Sequence, residues 1–353
     1  MKRKIVIGGY YGYGSLGDEA VLSVLIDEIK NRYSECDITV LCASPVKMKK
    51  TYGVKCVYRY DALAIVRELS GADLYISGGG SLIQDATSGR SHRYYCRLMQ
   101  LAKHMGARVY AYANGIGPLK RRDIARSALG ACDMISVRDE ASHLQLRELS
   151  VESVLSSDPF FLIDAAPPSE VRRFLCDRGI YEEKYFTVSV RRCKGSRQVN
   201  EDSLLHALLP FVAKGRTPIF VSMQDSCDLA LSAAMADMTG GYVVSPTDAP
   251  ILLGLQKNAD FAIGMRLHFL LAAISAGIPV SALSYDPKVD NVLSYAADIK
   301  VYDAFDFDAE ELSCQMEKML GYKVRREDMR SLALRDIEAI GQLLESEEEL
   351  VRV

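Results

Sequence analysis

Residues Asp260–Lys288 read DFAIGMRLHFLLAAISAGIPVSALSYDPK. Phe261–Ile263 is a short apolar strand and Gly264-Met265 a turn. Arg266-Leu267-His268 then opens an apolar helix that Gly277 stops, and Ile278–Ser284 is a second buried strand. A strand–turn–helix–strand unit belongs to a parallel sheet and sets its first turn at the carboxyl edge, where α/β proteins hold ligands. Into that turn the sequence puts a cation and an imidazole. The next strand ends in Tyr285-Asp286-Pro287-Lys288, which brings a second cation to the same edge. The helix Phe269–Ala276 is apolar all round and so buried, which makes Arg266 and His268 costly there unless they face a ligand. A histidine at a helix start can be a plain cap. Arginine and lysine around it suit instead an anionic substrate that needs a proton moved.

Outward from this unit the chain repeats strand then helix. Strand-like runs occur at Lys4–Gly9, Asp37–Cys42, Asp73–Ser77, Arg108–Ala113 and Met134–Val137, with helical runs such as Glu19–Tyr33 and Tyr94–Met105 between them. The pattern fades at Asp164–Glu170 (DAAPPSE), a linker, and resumes at Tyr185–Arg191. It continues through Pro218–Met223, Tyr242–Ser245, Asp260–Ile263, Ile278–Leu283 and Ile299–Tyr302. The expected fold is α/β: two doubly wound Rossmann-like domains facing a cleft, at residues 1–165 and 171–325. Residues 326–353 form a last helix, whose stripe Met329, Ala333, Ile337, Ile340 and Leu344 is expected to pack back on the amino-terminal domain. The acidic run Glu347–Glu349 reads as a solvated tail.

The length of 353 residues exceeds what one core usually supports. The net charge of −3, with signs interspersed, leaves no basic footprint for nucleic acid. Nine cysteines, with no CxxC pair and no cluster at zinc-ligand spacing, read as reduced thiols of a cytoplasmic protein without a metal site. The start MKRKIVIGGYYG is too short in its apolar run for a signal peptide and reads as the first strand. No run is long and apolar enough for a membrane span.

Other edge turns carry the remaining candidates. Gly12-Tyr13-Gly14-Ser15-Leu16-Gly17 fits G-x-G-x-x-G, yet a dinucleotide is disfavoured. Asp18 and Glu19 occupy the positive helix end in a capping-box-like Ser15-x-x-Asp18 arrangement, and the next strand ends in Cys42-Ala43-Ser44-Pro45 without an acid for a ribose. Tyr10, Tyr11 and Tyr13 beside those acids fit a sugar. Gly78-Gly79-Gly80-Ser81 lets backbone approach a ligand, and Gln84 and Asp85 can bond hydroxyls, although a plain strand-to-helix turn has the same glycines. Asn114-Gly115-Ile116-Gly117-Pro118 is a similar turn. Met134–Val137 delivers Arg138-Asp139, and Tyr185–Val190 delivers Arg191-Arg192-Cys193-Lys194, so both domains bring cations to a sheet edge.

Taken in order, GYGSLGDEA, GGGSLIQD, NGIGP, SVRD, Ser157-Asp158-Pro159, GMRLH and YDPK resemble the polysaccharide pyruvyl transferases, and within them the CsaB type that acts on bacterial cell-wall polymers. The set spans residues 8 to 288, about four-fifths of the chain. The resemblance implies a fold like the GT-B glycosyltransferases. It implies phosphoenolpyruvate as donor, a lipid-linked ManNAc-GlcNAc disaccharide as acceptor, and a 4,6-linked pyruvate ketal as product. It also implies Arg138, His268 and Lys288 as catalytic residues. Ser222-Met223-Gln224 departs from the family, where a Pro-containing, sometimes His-containing, segment is common.

The residues suit that chemistry. A carboxylate and a phosphate call for two or three cations, which Arg266, Arg191, Arg138 and Lys288 can supply. His268 is the natural acid for protonating the methylene carbon. A base for the sugar hydroxyls comes from Asp85, Asp139 or Asp18, and the acceptor is expected against Tyr11, Gly14, Asp18, Glu19, Gly80, Ser81, Gln84 and Asp85. No metal and no cofactor is expected, phosphoenolpyruvate being a co-substrate. The enzyme is expected in the cytoplasm, at the inner membrane face where a lipid-linked acceptor would lie. Two rivals stand beside this reading: a GT-B glycosyltransferase with a nucleotide-sugar donor, and a non-catalytic glycan-binding subunit. Residues 260 to 291 hold no glutamate for a donor ribose, which disfavours the first, and the edge cations disfavour the second.

Overall fold

The computed structural model describes residues 2–33, 35–86, 88–193, 197–323 and 328–345; Lys194 and Glu347–Glu349 lie outside them. The chain forms two compact units, Met1–Leu162 with Asp328–Val353, and Ile163–Glu327.

The first unit carries β1 (Arg3–Gly8), α1 (Leu16–Arg32), β2 (Cys36–Cys42), α2 (Pro45–Tyr52), β3 (Lys55–Tyr58), α3 (Ala62–Leu69), β4 (Leu74–Ser77), β5 (Gly80–Ile83), α4 (Gly89–His104), β6 (Arg108–Ile116), α5 (Arg122–Leu129), β7 (Met134–Val137), α6 (Glu140–Glu148) and β8 (Val154–Leu155). Its strands pair in parallel in the order β3-β2-β1-β4-β6-β7-β8, with β5 added on β6. Ile5, Val6 and Ile7 of β1 are fully buried, as a strand covered by helices on both faces requires. The chain reverses its direction of sheet growth between β1 and β4. The loops after these two strands, 9–15 and 78–79, therefore stand at the switch point where ligands of such sheets bind.

The second unit carries α7 (Pro168–Cys176), β9 (Tyr185–Ser189), α8 (Glu201–Ala213), β10 (Thr217–Val221), α9 (Asp225–Thr239), β11 (Tyr242–Val244), α10 (Ala249–Lys257), β12 (Ala262–Gly264), α11 (Leu267–Ala276), β13 (Val280–Ser284), α12 (Pro287–Ala296), β14 (Lys300–Asp303) and α13 (Ala309–Met319). Its order is β11-β10-β9-β12-β13-β14, all parallel. The switch lies between β9 and β12. Arg191 follows the first of these strands and Arg266 the second.

Three short strands escape sequence reading. β5 hides in a glycine run that reads as a turn, yet Gly80 pairs with Asn114 and Ile83 with Ile116. The edge strand β3 and the two-residue β8 are too short to show a period.

Close packing explains the glycines at the first switch point. The Tyr11 side chain is fully buried beneath the loops, and a Cβ on Gly78 would stand 1.9 Å from its hydroxyl. Such a contact forces the ring or the loop to move. Gly78→Ala is expected to cost about 1–3 kcal/mol, read from urea midpoints. Tyr11→Phe in the same chain removes the colliding oxygen and should recover part of the loss; no recovery would place the strain elsewhere.

The carboxy-terminal helix α14 (Met329–Glu345) buries Met329, Ala333, Ile337, Ile340 and Leu344 within the first unit. Ser157 donates to the Met329 carbonyl at 2.5 Å and Ser156 to the Leu332 carbonyl at 3.1 Å. Asp336 on this helix is also buried, its Oδ2 without a partner. Burial pushes its carboxyl up to about 6, although the Ser136, Ser156 and Tyr110 hydroxyls act the other way. A raised folded-state value makes the group a source of stability only while it stays protonated in both states. As pH rises from the ordinary aspartate value of 3.8 to about 6, that stability is lost. Relative to the natural chain, Asp336→Asn should gain about 3 kcal/mol between pH 4 and pH 7. Parallel stability curves for the two chains would refute a buried acid here.

Candidate active site

In the second unit, β12 ends in Gly264 because a Cβ there would meet the Phe269 ring at 2.6 Å. Met265 donates its amide to Ser189 of β9, and Arg266 is the N-cap of α11. The Arg266 guanidinium is held by the fully buried Asp228 of α9. Its Nε donates to both carboxylate oxygens at 2.9 and 3.1 Å, and an Nη2 donates to Oδ1 at 2.6 Å. The same carboxylate accepts from the backbone amides of Met223 and Gln224, and Gln224 Oε1 accepts from Arg266 at 3.3 Å. The Ser222–Gln224 segment is thus tied to the RLH turn through one carboxylate, so the sequence departure falls against a cation of the site.

Arg191 is arranged differently. It is half-buried, donates once, to the Tyr285 hydroxyl at 3.0 Å, and lies 5.0 Å from that ring's centre. Its Nε is buried with no partner, and among the described residues it makes no ion pair. Lys288 lies 5.7 Å from the centre of the same ring and pairs with Asp286 at 3.3 Å. Asp286 caps α12 by accepting from the Lys288 amide. Burial alone would lower the Arg191 pKa, and Tyr285, with Asp228 and Cys227 behind it, acts the other way and leaves it raised, so the guanidinium stays charged. His268 is half-buried in the first turn of α11. Arg191, Arg266, His268 and Lys288 are therefore carried by the carboxyl edge of one sheet.

In the first unit the structure brings four motifs together around Arg138. Its guanidinium is 3% exposed, donates to the buried Asp158 of the Ser-Asp-Pro segment at 2.6 Å and to Ser81 of the glycine turn at 3.1 Å. Gly115 of NGIGP lies against it, since a Cβ there would stand 3.4 Å from the guanidinium and 2.9 Å from the Ser81 hydroxyl. Arg138, expected as a catalytic and donor-binding cation, thus already has its charge matched by Asp158.

Two acceptor candidates are corrected as well. Tyr11 is fully buried, so its ring belongs to the core, while Tyr10 and Tyr13 are each 37% exposed. Asp85 spends both oxygens on the backbone amides of Lys120 and Arg121, at 2.7 and 2.8 Å. Burial would raise its carboxyl, and these amides hold it below the ordinary range. Asp139 caps α6 through Ser142 and is equally buried. Asp18 remains half-buried. It accepts from the Ser15 hydroxyl in place of a capping box, and its other oxygen lies 3.3 Å from where a Gly80 Cβ would stand. Gly80, at φ +110°, has a backbone that favours glycine, and a Cβ there would press lightly on Asp18. Glu19 accepts from the exposed Gly14 amide at 3.0 Å, and Gln84 is half-buried at the end of β5.

Sequence reading passed over Asp228, and it quoted Asp158 in Ser157-Asp158-Pro159 without giving it a role. A lone aspartate on a predicted helix carries no sign of its partner, and Tyr285 stood in the quoted YDPK without an assignment. Among the described residues no three His, Cys, Asp or Glu side chains gather as a metal-binding group, and no helix is long and apolar enough to cross a membrane.

These two Rossmann-like units define a GT-B-like class of fold. UDP-GlcNAc 2-epimerase from Methanocaldococcus jannaschii is similar at a TM-score of 0.69 and 11% identity, over 96% of this chain and 99% of that one. The Neisseria meningitidis UDP-GlcNAc 2-epimerase bound to UDP-GlcNAc gives 0.64 and 10%, over 96% and 100%. A glycosyltransferase from Rickettsia africae gives 0.54 and 11%, over 99% and 98%. At such identities the likeness is one of fold. No curated protein matches the chain by sequence. The family model for polysaccharide pyruvyl transferase matches residues 16–287, and the chain belongs to that family.

Removing one partner of a buried ion pair leaves the other charge uncompensated. Asp228→Ala is therefore expected to lower unfolding free energy by about 3 kcal/mol, measured by chemical denaturation. A loss under about 1 kcal/mol, the scale of an exposed pair, would mean that Asp228 does not hold Arg266 and the 222–224 loop.

Proposed function

We propose that this transferase moves the pyruvyl group of phosphoenolpyruvate onto two hydroxyls of one sugar in a lipid-linked ManNAc-GlcNAc cell-wall precursor, forming a 4,6-linked ketal and releasing phosphate. The observation that carries the donor reading is Arg191: a half-buried guanidinium at a sheet switch point, with its Nε unpartnered and no carboxylate paired to it among the described residues. A folded chain gains little by leaving a partly desolvated cation unpaired unless a ligand brings the anion. Arg191 and Lys288 share the Tyr285 ring, which gathers two cations for an anion with two charged groups. Arg266, neutralised by Asp228, contributes remaining donor hydrogens more than net charge.

His268 is proposed as the acid that protonates the methylene carbon, turning it into a methyl group and leaving an oxocarbenium-like carbon beside the phosphate oxygen. One sugar hydroxyl adds there and gives its proton to a base. Asp18 is the candidate the geometry favours, because Asp85 and Asp139 are committed to backbone amides. The second hydroxyl then displaces phosphate, which leaves with that proton, and the ring closes. Arg138 is a positioning residue in this scheme, fixing the Ser81 hydroxyl on the acceptor side. The expected setting is the cytoplasmic face of the membrane, where a lipid-linked acceptor would present its sugars.

The test is acceptor-dependent phosphate release from phosphoenolpyruvate, with the product mass checked. His268→Ala should lose about 10²–10⁴-fold in kcat with donor affinity kept. Arg191→Ala should weaken phosphoenolpyruvate binding about 10–100-fold, as loss of charged hydrogen bonds implies. Thermal stabilisation by UDP-sugars and none by phosphoenolpyruvate would overturn the donor assignment.

A further inference from the structure

One arginine of the first unit is solved without any acid. Arg59, just past β3, is 3% exposed and makes no ion pair among the described residues. Its guanidinium carbon lies 4.5 Å from the ring centre of Tyr94, 5.1 Å from Tyr60, 5.2 Å from Tyr95 and 5.5 Å from Tyr13. An Nη1 donates to the Tyr95 hydroxyl at 3.2 Å, the Tyr94 hydroxyl donates to the Arg59 carbonyl at 2.6 Å, and Nε is buried without a partner. Desolvated cation–π contacts are among the stronger of their kind. This one clamps tyrosines of three separate segments onto a single centre.

The outer rings of that cluster face solvent. Tyr13 stacks on Tyr10 at 4.3 Å and 12°, Tyr60 packs edge-on against Tyr58 at 5.7 Å and Tyr94 at 5.5 Å, and Tyr60 is 59% exposed. Rings held rigidly and left open to water mark a recognition surface. They follow the carboxyl ends of β1 and β3, and Tyr13 lies with Gly14 and Ser15 in the loop that leads into α1, whose first turn carries Asp18 and Glu19. Those acids, with Asp61 beside Tyr60, disfavour a phosphate or an anionic lipid surface. A neutral ligand with flat apolar faces and a rim of hydroxyls fits: a pyranose ring, its C–H face on a tyrosine and its hydroxyls on phenol and carboxylate oxygens.

We infer that Tyr10, Tyr13 and Tyr60, clamped by Arg59, form a carbohydrate-stacking subsite that binds a pyranose of the acceptor other than the one pyruvylated. The inference rests on the acceptor reading above, in which the reacting hydroxyls face Asp18. Tyr13 stands five residues before that carboxylate, in the loop leading into α1, and Tyr60 joins Tyr13 on the Arg59 guanidinium, so a ring bound there is a second sugar beside the reacting one. The rigid rings bring little ordering cost on binding.

The test is binding of a soluble methyl glycoside of ManNAc-GlcNAc to the full chain, followed by calorimetry and saturation-transfer NMR without phosphoenolpyruvate. Tyr60→Ala should weaken binding about fivefold or more, Tyr60→Phe should keep it, and phosphoenolpyruvate affinity should be unchanged in both. With the lipid-linked acceptor, the Tyr60→Ala loss should appear in acceptor KM with kcat largely kept. No binding of the disaccharide by the natural chain, or equal binding by Tyr60→Ala, would overturn the subsite. So would a Tyr60→Ala loss confined to phosphatidylglycerol vesicles, which would make the surface lipid-facing. Disaccharide binding that depends on Tyr60, in a chain that never releases phosphate from phosphoenolpyruvate, would sustain the subsite and overturn the donor reading alone.

Discussion

A guanidinium taken out of water must find a counter-charge, a π face or a ligand, and the loops of this protein are arranged around which of these each arginine receives. Arg138 and Arg266 have buried carboxylates, Asp158 and Asp228. Each pair joins segments far apart in sequence: Asp158 lies 20 residues from Arg138, and Asp228 lies 38 residues from Arg266. The Arg138 pair draws in Ser81 and the Gly115 backbone, and the Asp228 carboxylate adds the 223–224 amides. Motifs that look separate along the chain become one object in each unit because a single charge has to be neutralised. Arg59 is met by rings instead, and Arg191 by one ring and one hydroxyl. The first two solutions are complete without a ligand. Arg191 combines partial burial at a sheet switch point with no paired acid among the described residues.

Much of the frame was legible because it rests on local rules. Apolar runs broken by glycine predicted most strands within a few residues, and the turn before Arg266 was read as a sheet-edge turn from its neighbours alone. What escaped depends on distance in space. The glycine run 78–80 reads as a turn, yet β5 exists because Gly80 and Ile83 find partners on β6. Tyr11 and Tyr13 stand two residues apart and look equivalent, but one supports the glycine loops from below and the other is open to solvent. Asp85, Asp139 and Asp18 all follow edge strands or turns. Only their hydrogen bonds tell a carboxylate held by amides from one that still has an oxygen to use. Asp336 was invisible inside a clean apolar stripe, since periodicity counts the residues that fit and passes over the one beside them.

The fold alone would have pointed elsewhere. A UDP-GlcNAc 2-epimerase and a glycosyltransferase share these two sheets, and a shared fold leaves chemistry open. The first switch point makes the distinction physical. A nucleotide-binding turn keeps its helix amino terminus free for phosphate. Here Ser15 is bonded to Asp18 and the Gly14 amide to Glu19, so that end of α1 already carries two carboxylates. A diphosphate would meet negative charge where the fold usually offers positive. The acids leave the first switch point suited to hydroxyls, while the second offers Arg191 and Lys288 on a common ring. One architecture thus carries a carboxylate-bearing edge in one unit and a cation-bearing edge in the other. That division of charge is the one the proposed transfer from an anionic donor to a neutral glycan would use.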